Sequence, residues 1–206
     1  MLRRPPVAIF LVLVLASCLA GYGIVYYAFT THQSAAREGY LRLETDYLVI
    51  EFPKDWIAAE VSHENESGSI HGVQVVSSFA SLYLGIHDRE YTEFLMGKFN
   101  LADAFSTIVY MVNDTYGSIL KRNENATLHF IENKTARVLD MQVDYTRVEI
   151  RDVPDSDDVL QNVTFILMAG LDQRKLTYVG FYALEKNWEE AYGEFQIMLD
   201  SIELRR

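Results

Sequence analysis

The chain has 206 residues, of which 50% are apolar and 13% aromatic, so most of it is too hydrophobic to be disordered. This length accommodates one membrane segment and one globular domain of about 160 residues. Eighteen Lys and Arg residues oppose 29 Asp and Glu residues, and no cluster of cations stands out, which excludes a nucleic-acid-binding protein.

The N-terminus carries a predicted membrane anchor. Residues 1–6 include Arg3 and Arg4, and residues 7–29 contain no charged side chain. As a helix, residues 7–29 would span about 34 Å, enough for a hydrocarbon core of about 30 Å. The two arginines predict that residues 1–6 form a cytoplasmic tail. We therefore expect a single-pass protein of the cell membrane whose C-terminal domain is extracytoplasmic.

Cys18, the single cysteine of the sequence, leaves two alternatives to an uncleaved anchor open. Residues 15–18 resemble the lipobox at which lipoproteins are cleaved and lipidated on the cysteine, although the chain stays apolar as far as Phe29. Cleavage of a secretory signal peptide, which releases a soluble domain, is the other alternative. In an uncleaved anchor, Cys18 is a small apolar residue in lipid.

Five Asn-x-Ser/Thr sequons support an extracytoplasmic location, since about one is expected by chance. They begin at Asn65, Asn113, Asn125, Asn133 and Asn162. We predict glycosylation of some of them, with Asn65 and Asn125 exposed and Asn162 within a strand. The alternative is that Asn and Thr occur together because both favour turns and strands.

Residues 30–45 are predicted to be a polar stalk, and residues 46–206 an extracytoplasmic domain. Without Arg3 and Arg4, 16 cations oppose 29 carboxylates, a net charge of −13. The first half of the domain alternates apolar and polar residues and then changes to a helical period. It predicts strands at 47–52, 56–61, 73–78 and 80–87, a loop at 62–71, and one helix over 91–116 that ends at Gly117.

The second half returns to strands and closes with a helix. It predicts strands at 127–131 and 136–149 around a turn at 132–134, an acidic loop at 151–158, and a hairpin of 163–171 with 176–183 around a turn at 172–175. Asn187 is expected to cap the last helix in a variant of the capping box. That helix is expected to bury Trp188, Ala191, Phe195, Met198, Leu199 and Ile202.

Three short stretches in this order carry a resemblance to a known family. Phe52-Pro53-Lys54-Asp55-Trp56 follows the first strand, residues 132–136 lead into the long strand, and residues 198–202 read Met-Leu-Asp-Ser-Ile. Over residues 46–204 the chain resembles the PsbP-like proteins, named for an extrinsic protein of photosystem II. The resemblance implies an α+β fold in which an antiparallel β-sheet has helices on both faces, an α/β/α sandwich.

The resemblance also implies a class of function. The PsbP-like family contains assembly and stabilising proteins rather than enzymes, and its photosynthetic members support retention of calcium and chloride at the oxygen-evolving centre. This chain has a predicted membrane anchor in place of the family's lumenal transit signal, so a photosynthetic role is not implied. None of the family's functional residues can be placed on this sequence.

Two groups of residues are weak candidates for metal binding. The acidic loop contributes Asp152, Asp155, Asp157 and Asp158, whose oxygens suit calcium, but it lacks the glycine and terminal glutamate of an EF-hand. The alternative is a solvated, negatively charged loop. The second group, for zinc or copper, is His63, His71, His87 and Asp88, whose spacing matches no known metal motif. The alternative for this group is surface histidines without a shared role.

Strand aromatics are candidates for a ligand groove. They are Tyr83, Tyr178, Phe181 and Tyr182, and the alternative is that they form the core between sheet and helices. The sequence contains no Gly-x-Ser-x-Gly, no glycine-rich phosphate loop and no His-Glu-x-x-His. We therefore predict no catalytic residue and no cofactor, and expect that the chain is not an enzyme.

Two hypotheses of function follow. The first is a membrane-anchored, extracytoplasmic, non-catalytic module that binds or stabilises another envelope protein or complex; it predicts exposed apolar and aromatic residues without converging titratable groups. The alternative is a domain at the outer membrane face that binds a small ligand or a metal ion such as calcium. It predicts a closed pocket between sheet and helix that contains a few buried polar groups.

Overall fold

The computed structural model describes residues 26–28, 33–35, 37–155 and 158–205. The helices in these ranges are α1 Arg89–Phe99, α2 Ala104–Leu120 and α3 Trp188–Ser201, with a 3-10 turn at Glu185–Asn187. The strands are β1 Tyr26–Ala28, β2 Gln33–Ala35, β3 Tyr40–Glu44, β4 Leu48–Pro53, β5 Ile57–Asn65, β6 Gly68–Val76, β7 Ala80–His87, β8 Thr127–Val138, β9 Met141–Pro154, β10 Leu160–Asp172, β11 Lys175–Leu184 and β12 Glu203–Leu204.

Two antiparallel sheets contain these strands. The large sheet has eight strands in the order β1-β5-β6-β7-β11-β10-β9-β8, and the small sheet has four in the order β12-β4-β3-β2. The predicted α+β class and the antiparallel sheet are confirmed. The small sheet was not predicted, because β2 and β3 fall in the segment predicted to be a stalk and β12 joins β4 from residues 203–204.

Both faces of the large sheet are covered, which confirms the prediction of helices on both sides. Phe165 and Leu167 of β10 belong to the core beneath α1 and α2, whereas Ile166 and Met168 belong to the core beneath α3 and the small sheet. Residues 163–170 are all buried as a result. A strand buried on both faces has a continuous apolar sequence, and for that reason β10 was recognisable.

The single helix predicted over residues 91–116 is wrong: the chain breaks between α1 and α2. Asn100 ends α1 with a left-handed backbone conformation, and Asp103 begins α2 with a capping box shared with Ser106. The apolar period continues across the break, where the Phe99 and Tyr110 rings contact each other in a tilted arrangement at 4.5 Å between centroids. The predicted end at Gly117 is also wrong, since α2 continues to Leu120.

Two predicted loops are parts of hairpins. Residues 62–71 lie mostly within β5 and β6, which pair from Ile57 with Val76 to Asn65 with Gly68. The turn predicted at 132–134 lies inside β8, and the chain instead turns at Leu139 and Asp140, both with positive φ. Backbone pairing across these long hairpins outweighs the local polar composition, so a turn without glycine was missed.

Other boundaries also differ from the predictions. The stalk predicted at residues 30–45 contains β2 and β3, and Leu43 of β3 is buried against the main sheet. The acidic loop is shorter than predicted because β9 extends to Pro154 and pairs with Leu160. Asn187 precedes α3 as predicted, but its side chain makes no capping bond, because the 3-10 turn supplies a backbone bond from Trp188 to Glu185.

The predicted anchor falls mainly on residues outside the described ranges. Residues 7–25, including Cys18, are not described, and Tyr26–Ala28 form β1, which pairs with β5 rather than continuing an anchor helix. Among the described residues, none of the helices has the length and hydrophobicity needed to span a membrane. The anchor over residues 7–25 therefore stays a prediction.

Trp188→Ala is expected to lower the free energy of unfolding by about 3–5 kcal/mol, because it leaves a cavity beneath α3. The Trp188 ring centroid lies 6.0 Å from that of Phe181 and 5.3 Å from that of Tyr192, and the Arg147 guanidinium carbon lies 4.3 Å from it. Urea unfolding in detergent micelles measures the change. Gln196→Ala, on the exposed side of α3, is the control. An unchanged midpoint for the Trp188 variant would contradict the docking of α3.

Candidate functional site

The four residues proposed for zinc or copper do not converge. His63 and His87 both pair with Ile70, one from each neighbouring strand. His71 belongs to the next row of the sheet, stacks on Tyr47 at 3.6 Å, and has its Nδ1 3.1 Å from the Ser62 hydroxyl. Among the described residues, no group of three or more His, Cys, Asp or Glu side chains is placed to hold a metal ion.

Asp88 has a structural role at the start of α1. Its carboxylate accepts hydrogen bonds from the Tyr91 N–H, the Ser69 N–H and the Ser69 hydroxyl, each at 2.7 Å. Burial raises the pKa of Asp88, but these hydrogen bonds outweigh it, and the pKa lies below its ordinary value. Asp88 therefore joins the first turn of α1 to the beginning of β6. Its carboxylate is engaged by these three hydrogen bonds rather than free to bind a metal ion.

His87 is fully buried beneath α1. Its ring lies edge-on to Tyr91 at 5.3 Å, and within the described part of the chain neither ring nitrogen has a hydrogen-bond partner. Burial lowers the pKa of His87 to about 4, against a smaller opposing effect of Asp88. The imidazole is therefore neutral in the folded protein at physiological pH.

Residues of the acidic loop form hydrogen bonds with nearby parts of the chain. Asp155 accepts a hydrogen bond from the Val159 N–H at 3.0 Å and one from the Gln161 amide at 3.4 Å. The Asp152 carbonyl accepts from the Asn123 amide, and Asp158 has a positive φ of 60°. Asp157 lies outside the described residues. The Asp155 carboxylate therefore holds a turn, and among the described residues no three acidic side chains of this loop are placed to hold a metal ion.

The aromatic residues proposed for a groove form the core. Tyr83, Tyr178, Phe181 and Tyr182 are each at most 3% exposed. Space for two of these rings comes from glycines: a Cβ at Gly85 would lie 2.8 Å from the Tyr83 hydroxyl oxygen, and one at Gly180 would lie 2.9 Å from the Tyr178 hydroxyl oxygen. Each tyrosine therefore lies over the glycine two positions along its own strand.

The space between α2 and the large sheet is nearly filled. A cavity of about 10 Å³ remains there, lined by Val112, Thr115, Val148, Ile150, Phe165 and Leu167. That volume corresponds to about one water molecule and is far below that of a ligand pocket. The closed pocket required by the ligand-binding hypothesis is not found at this position.

The sequons differ in accessibility. Asn113, Asn125 and Asn133 are exposed, and Asn65 ends β5 at the tip of a hairpin. The Asn162 amide is engaged: it donates to Glu185 at 2.7 Å and accepts from the Asp152 N–H at 3.3 Å. Attachment of a glycan to Asn162 would break these bonds. Glycosylation of the five sites stays a prediction, with Asn162 the least accessible of those whose side chains are described.

Sequence reasoning missed an exposed strand at the edge of the large sheet. β8 pairs with β9 alone among the described strands, so one side of its backbone has no strand partner. Phe130 is 54% exposed and Ile131 is 48% exposed, and the register shifts between Phe130 and Glu132 so that Ile131 forms a bulge. The sequence signal that could have revealed this strand is the apolar pair Phe130 and Ile131 within a polar segment. We call Thr127–Val138 the β8 edge.

The β8 edge combines backbone groups with apolar side chains. Its charged residues pair locally: Lys134 lies 2.9 Å from Glu132 and 4.6 Å from the centre of the Tyr145 ring. Edge strands of this length are usually shortened, covered or protected, because an open edge can pair with another chain. The β8 edge carries two such protections, the bulge at Ile131 and a lysine, beside exposed apolar side chains and a backbone side with no partner among the described strands.

Comparison with known proteins identifies no family. No family model and no curated protein matches the sequence. Similar solved structures include cyanobacterial PsbP (CyanoP) from Synechocystis sp. PCC 6803, with a TM-score of 0.46 and 11% identity over 90% of this chain and 96% of that chain. LpqN, described as involved in cell envelope biogenesis of Mycobacterium tuberculosis, has a TM-score of 0.38 and 6% identity over 91% of this chain and 95% of that chain.

A third similar structure comes from Bacteroides thetaiotaomicron, with a TM-score of 0.40 and 10% identity over 80% of this chain and 48% of that chain. A PsbP protein is thus among the similar structures, as the sequence resemblance suggested. All three TM-scores lie below 0.5, so they carry no argument about family, partner or activity. The PsbP-like assignment stays a prediction, whereas the α+β architecture is observed directly.

Replacement of Asp155, Asp157 and Asp158 together by Asn is expected to leave the response to calcium unchanged. The Asp155 carboxylate already accepts two hydrogen bonds within the loop, and Asn retains an acceptor oxygen. Melting temperatures of the wild type and the triple variant, each with and without calcium, provide the measurement. A stabilisation by calcium that disappears in the triple variant would establish a site at this loop and contradict our interpretation.

His87 is expected to make the domain sensitive to acid. Its folded-state pKa of about 4 lies below the ordinary value of 6.5, so protonation favours the unfolded chain. The contribution of neutral His87 to the free energy of unfolding is complete above pH 6.5. As the pH falls towards 4, the free energy of unfolding decreases by about 3 kcal/mol in total.

His87→Phe keeps a ring against Tyr91 and removes the titrating nitrogens, so its stability should fall less steeply than that of the wild type between pH 6.5 and 4. Urea unfolding in detergent at several pH values measures the two slopes. His129→Phe, at an exposed position, is the control. Equal slopes for wild type and the His87 variant would show that His87 is not the responsible group.

Proposed function

We propose that this chain is a non-catalytic, membrane-anchored, extracytoplasmic module that binds another envelope protein through the β8 edge. Residues 7–25 serve as the anchor in this proposal, with Arg3 and Arg4 on the cytoplasmic side. As a helix these residues would span about 28 Å, close to the thickness of a hydrocarbon core. The excess of sequons supports the outward orientation of the domain.

The observation that carries the proposal is the exposure of Phe130 and Ile131 on an edge strand with no outer neighbour among the described strands. An extended segment of a partner can add to such an edge, because backbone N–H and C=O groups supply affinity and side chains supply specificity. A few residues near the centre of an interface contribute most of its binding energy. The partner is therefore expected to offer an extended segment with apolar side chains.

The described residues support binding of a protein better than catalysis or binding of a small ligand. The candidate metal ligands lie apart, the aromatic side chains are packed in the core, and the cavity beneath α2 holds about one water molecule. These features match the first of the two hypotheses, which required exposed apolar residues without converging titratable groups. They offer nothing specific to the calcium or ligand alternative.

A photo-crosslinking amino acid at position 130 or 131 is expected to form an adduct of one defined mass in native membranes. The test uses the full chain, irradiation in the membrane, and mass spectrometry of the adduct. Val159, 53% exposed and in the segment before β10, is the matched control position. Adducts of the same mass from position 159, or none from positions 130 and 131, would contradict binding at the β8 edge.

Ile131→Lys tests how much Ile131 contributes to the affinity for the partner. The side chain is about half exposed, so the fold is expected to tolerate the change. A buried charge at the interface should weaken recovery of the cross-linked partner about tenfold or more, which corresponds to about 1.4 kcal/mol. Full recovery with the variant would show that Ile131 is not part of the interface.

A further inference from the structure

We infer that Ser62 is a modification site: its hydroxyl accepts an acyl group from an ester, with His71 as the general base and Glu64 as the group that orients the imidazole. We call Ser62, His71, Glu64 and Tyr47 the Ser62 site. The inference goes beyond the proposed function and concerns a part of the molecule other than the β8 edge. It includes one transfer to Ser62 and no turnover, so it is compatible with a non-catalytic module.

Strand pairing brings the members of the Ser62 site together. Ser62 and His71 are direct partners in the antiparallel pairing of β5 with β6, so their side chains lie on the same face of the sheet. Side chains alternate along a strand, and Glu64 therefore shares this face with Ser62. Val61 and His63 lie on the opposite face, where they contact the core beneath α1 and the Tyr91 ring.

The His71 ring lies between a hydroxyl and a carboxylate. The Ser62 hydroxyl oxygen is 3.1 Å from His71 Nδ1, and His71 Nε2 is 4.0 Å from Glu64 Oε1. The carboxylate favours the tautomer with the proton on Nε2, in which Nδ1 accepts the hydrogen bond that the Ser62 hydroxyl donates. A nucleophile, a base and a group that orients the base are the parts that activate a serine, here with the two ring nitrogens exchanged relative to serine proteases.

Tyr47 fixes the imidazole from the side of the small sheet. Its ring stacks on that of His71 at 3.6 Å, with 11° between the two planes. The turn that carries Tyr47 is itself held, because the Tyr47 N–H donates to the Thr45 hydroxyl at 3.2 Å and the Arg205 N–H donates to the Tyr47 carbonyl at 2.8 Å. The His71 side chain is only 11% exposed, so it has little freedom to rotate away from Ser62.

The protonation state of His71 suits a general base. Burial lowers the pKa of the His71 imidazole below its ordinary value of 6.5. Three carboxylates oppose this effect without reversing it: Glu64 and Glu60 on β5, and Asp88 after β7. The stacked Tyr47 phenol is neutral, since burial raises its pKa. At pH 7 the imidazole is therefore mostly neutral, and its Nδ1 lone pair is available to take a proton.

The acyl transfer forms one bond and breaks one. Ser62 Oγ attacks the carbonyl carbon of the ester while its proton passes to His71 Nδ1. The bond from that carbon to the leaving alcohol oxygen then breaks, and the proton passes from Nδ1 to this oxygen, which leaves O-acylated Ser62 and neutral His71. The Glu64 side chain is 74% exposed, so this face is open to solvent beside Ser62. The carboxylates on β5 favour a neutral ester over an anionic one.

The neutral ester p-nitrophenyl acetate tests the inference on the full chain in detergent micelles. We expect a burst of about one p-nitrophenolate per chain, and mass spectrometry of the wild type should find the acetyl group on Ser62. Ser62→Ala should abolish the burst, whereas Ser118→Ala, at a similarly half-buried serine of α2, should leave it unchanged. Acetyl groups on lysines alone would overturn the inference, and this result is read from the wild type even if Ser62→Ala does not fold.

The pH dependence of the burst rate tests the roles of His71 and Glu64. The wild-type rate should rise with a midpoint below pH 6.5 and then level off, and His71→Gln should slow it about a hundredfold or more. Glu64→Gln should move the midpoint to lower pH, because the Glu64 carboxylate raises the pKa of His71. Equal rates for wild type and His71→Gln, or a wild-type rate that rises without levelling, would overturn the inference. Neither result affects binding at the β8 edge, which is measured by cross-linking.

Discussion

The structure depends on one constraint: the central strands of the large sheet are buried on both faces. In β10, Phe165 and Leu167 contact one core while Ile166 and Met168 contact the other. Burial of apolar side chains on two sides supplies most of the driving force for a domain of this size, without a disulfide in the domain. The two helix layers and the small sheet are required to cover these faces.

This arrangement leaves little room in the described interior for a binding or catalytic site. The tyrosines that carry hydroxyl groups into the sheet are packed over glycines, and the buried His87 is held neutral beneath α1. Polar residues whose type suggests a functional site instead connect secondary-structure elements, as Asp88 connects α1 to β6. Exposed apolar side chains are found instead at the periphery, as at Phe130 and Ile131 of the β8 edge.

One predicted glycan competes with the proposed partner surface. Asn133 lies within the β8 edge, and a glycan there would cover the strand that we propose for partner binding. Asn113 and Asn125 carry no such conflict, because they lie on the exposed side of α2 and in the loop that follows it. Occupancy of Asn133 is therefore linked to access to the β8 edge.

The sequence by itself determined the strands with continuous or alternating apolar residues, such as β7 at Ala80–His87 and the hairpin that turns at Gln173 and Arg174, because their signals are local. It also indicated the α+β class, whereas the anchor and the glycosylation of the sequons stay predictions. Only the tertiary structure decided the break at Asn100, the turn at Leu139, the small sheet, and the exposure of Phe130 and Ile131. The pairing of β12 with β4 and the open edge of β8 depend on which distant segments pack or pair, and a pattern of neighbouring residues does not contain that information.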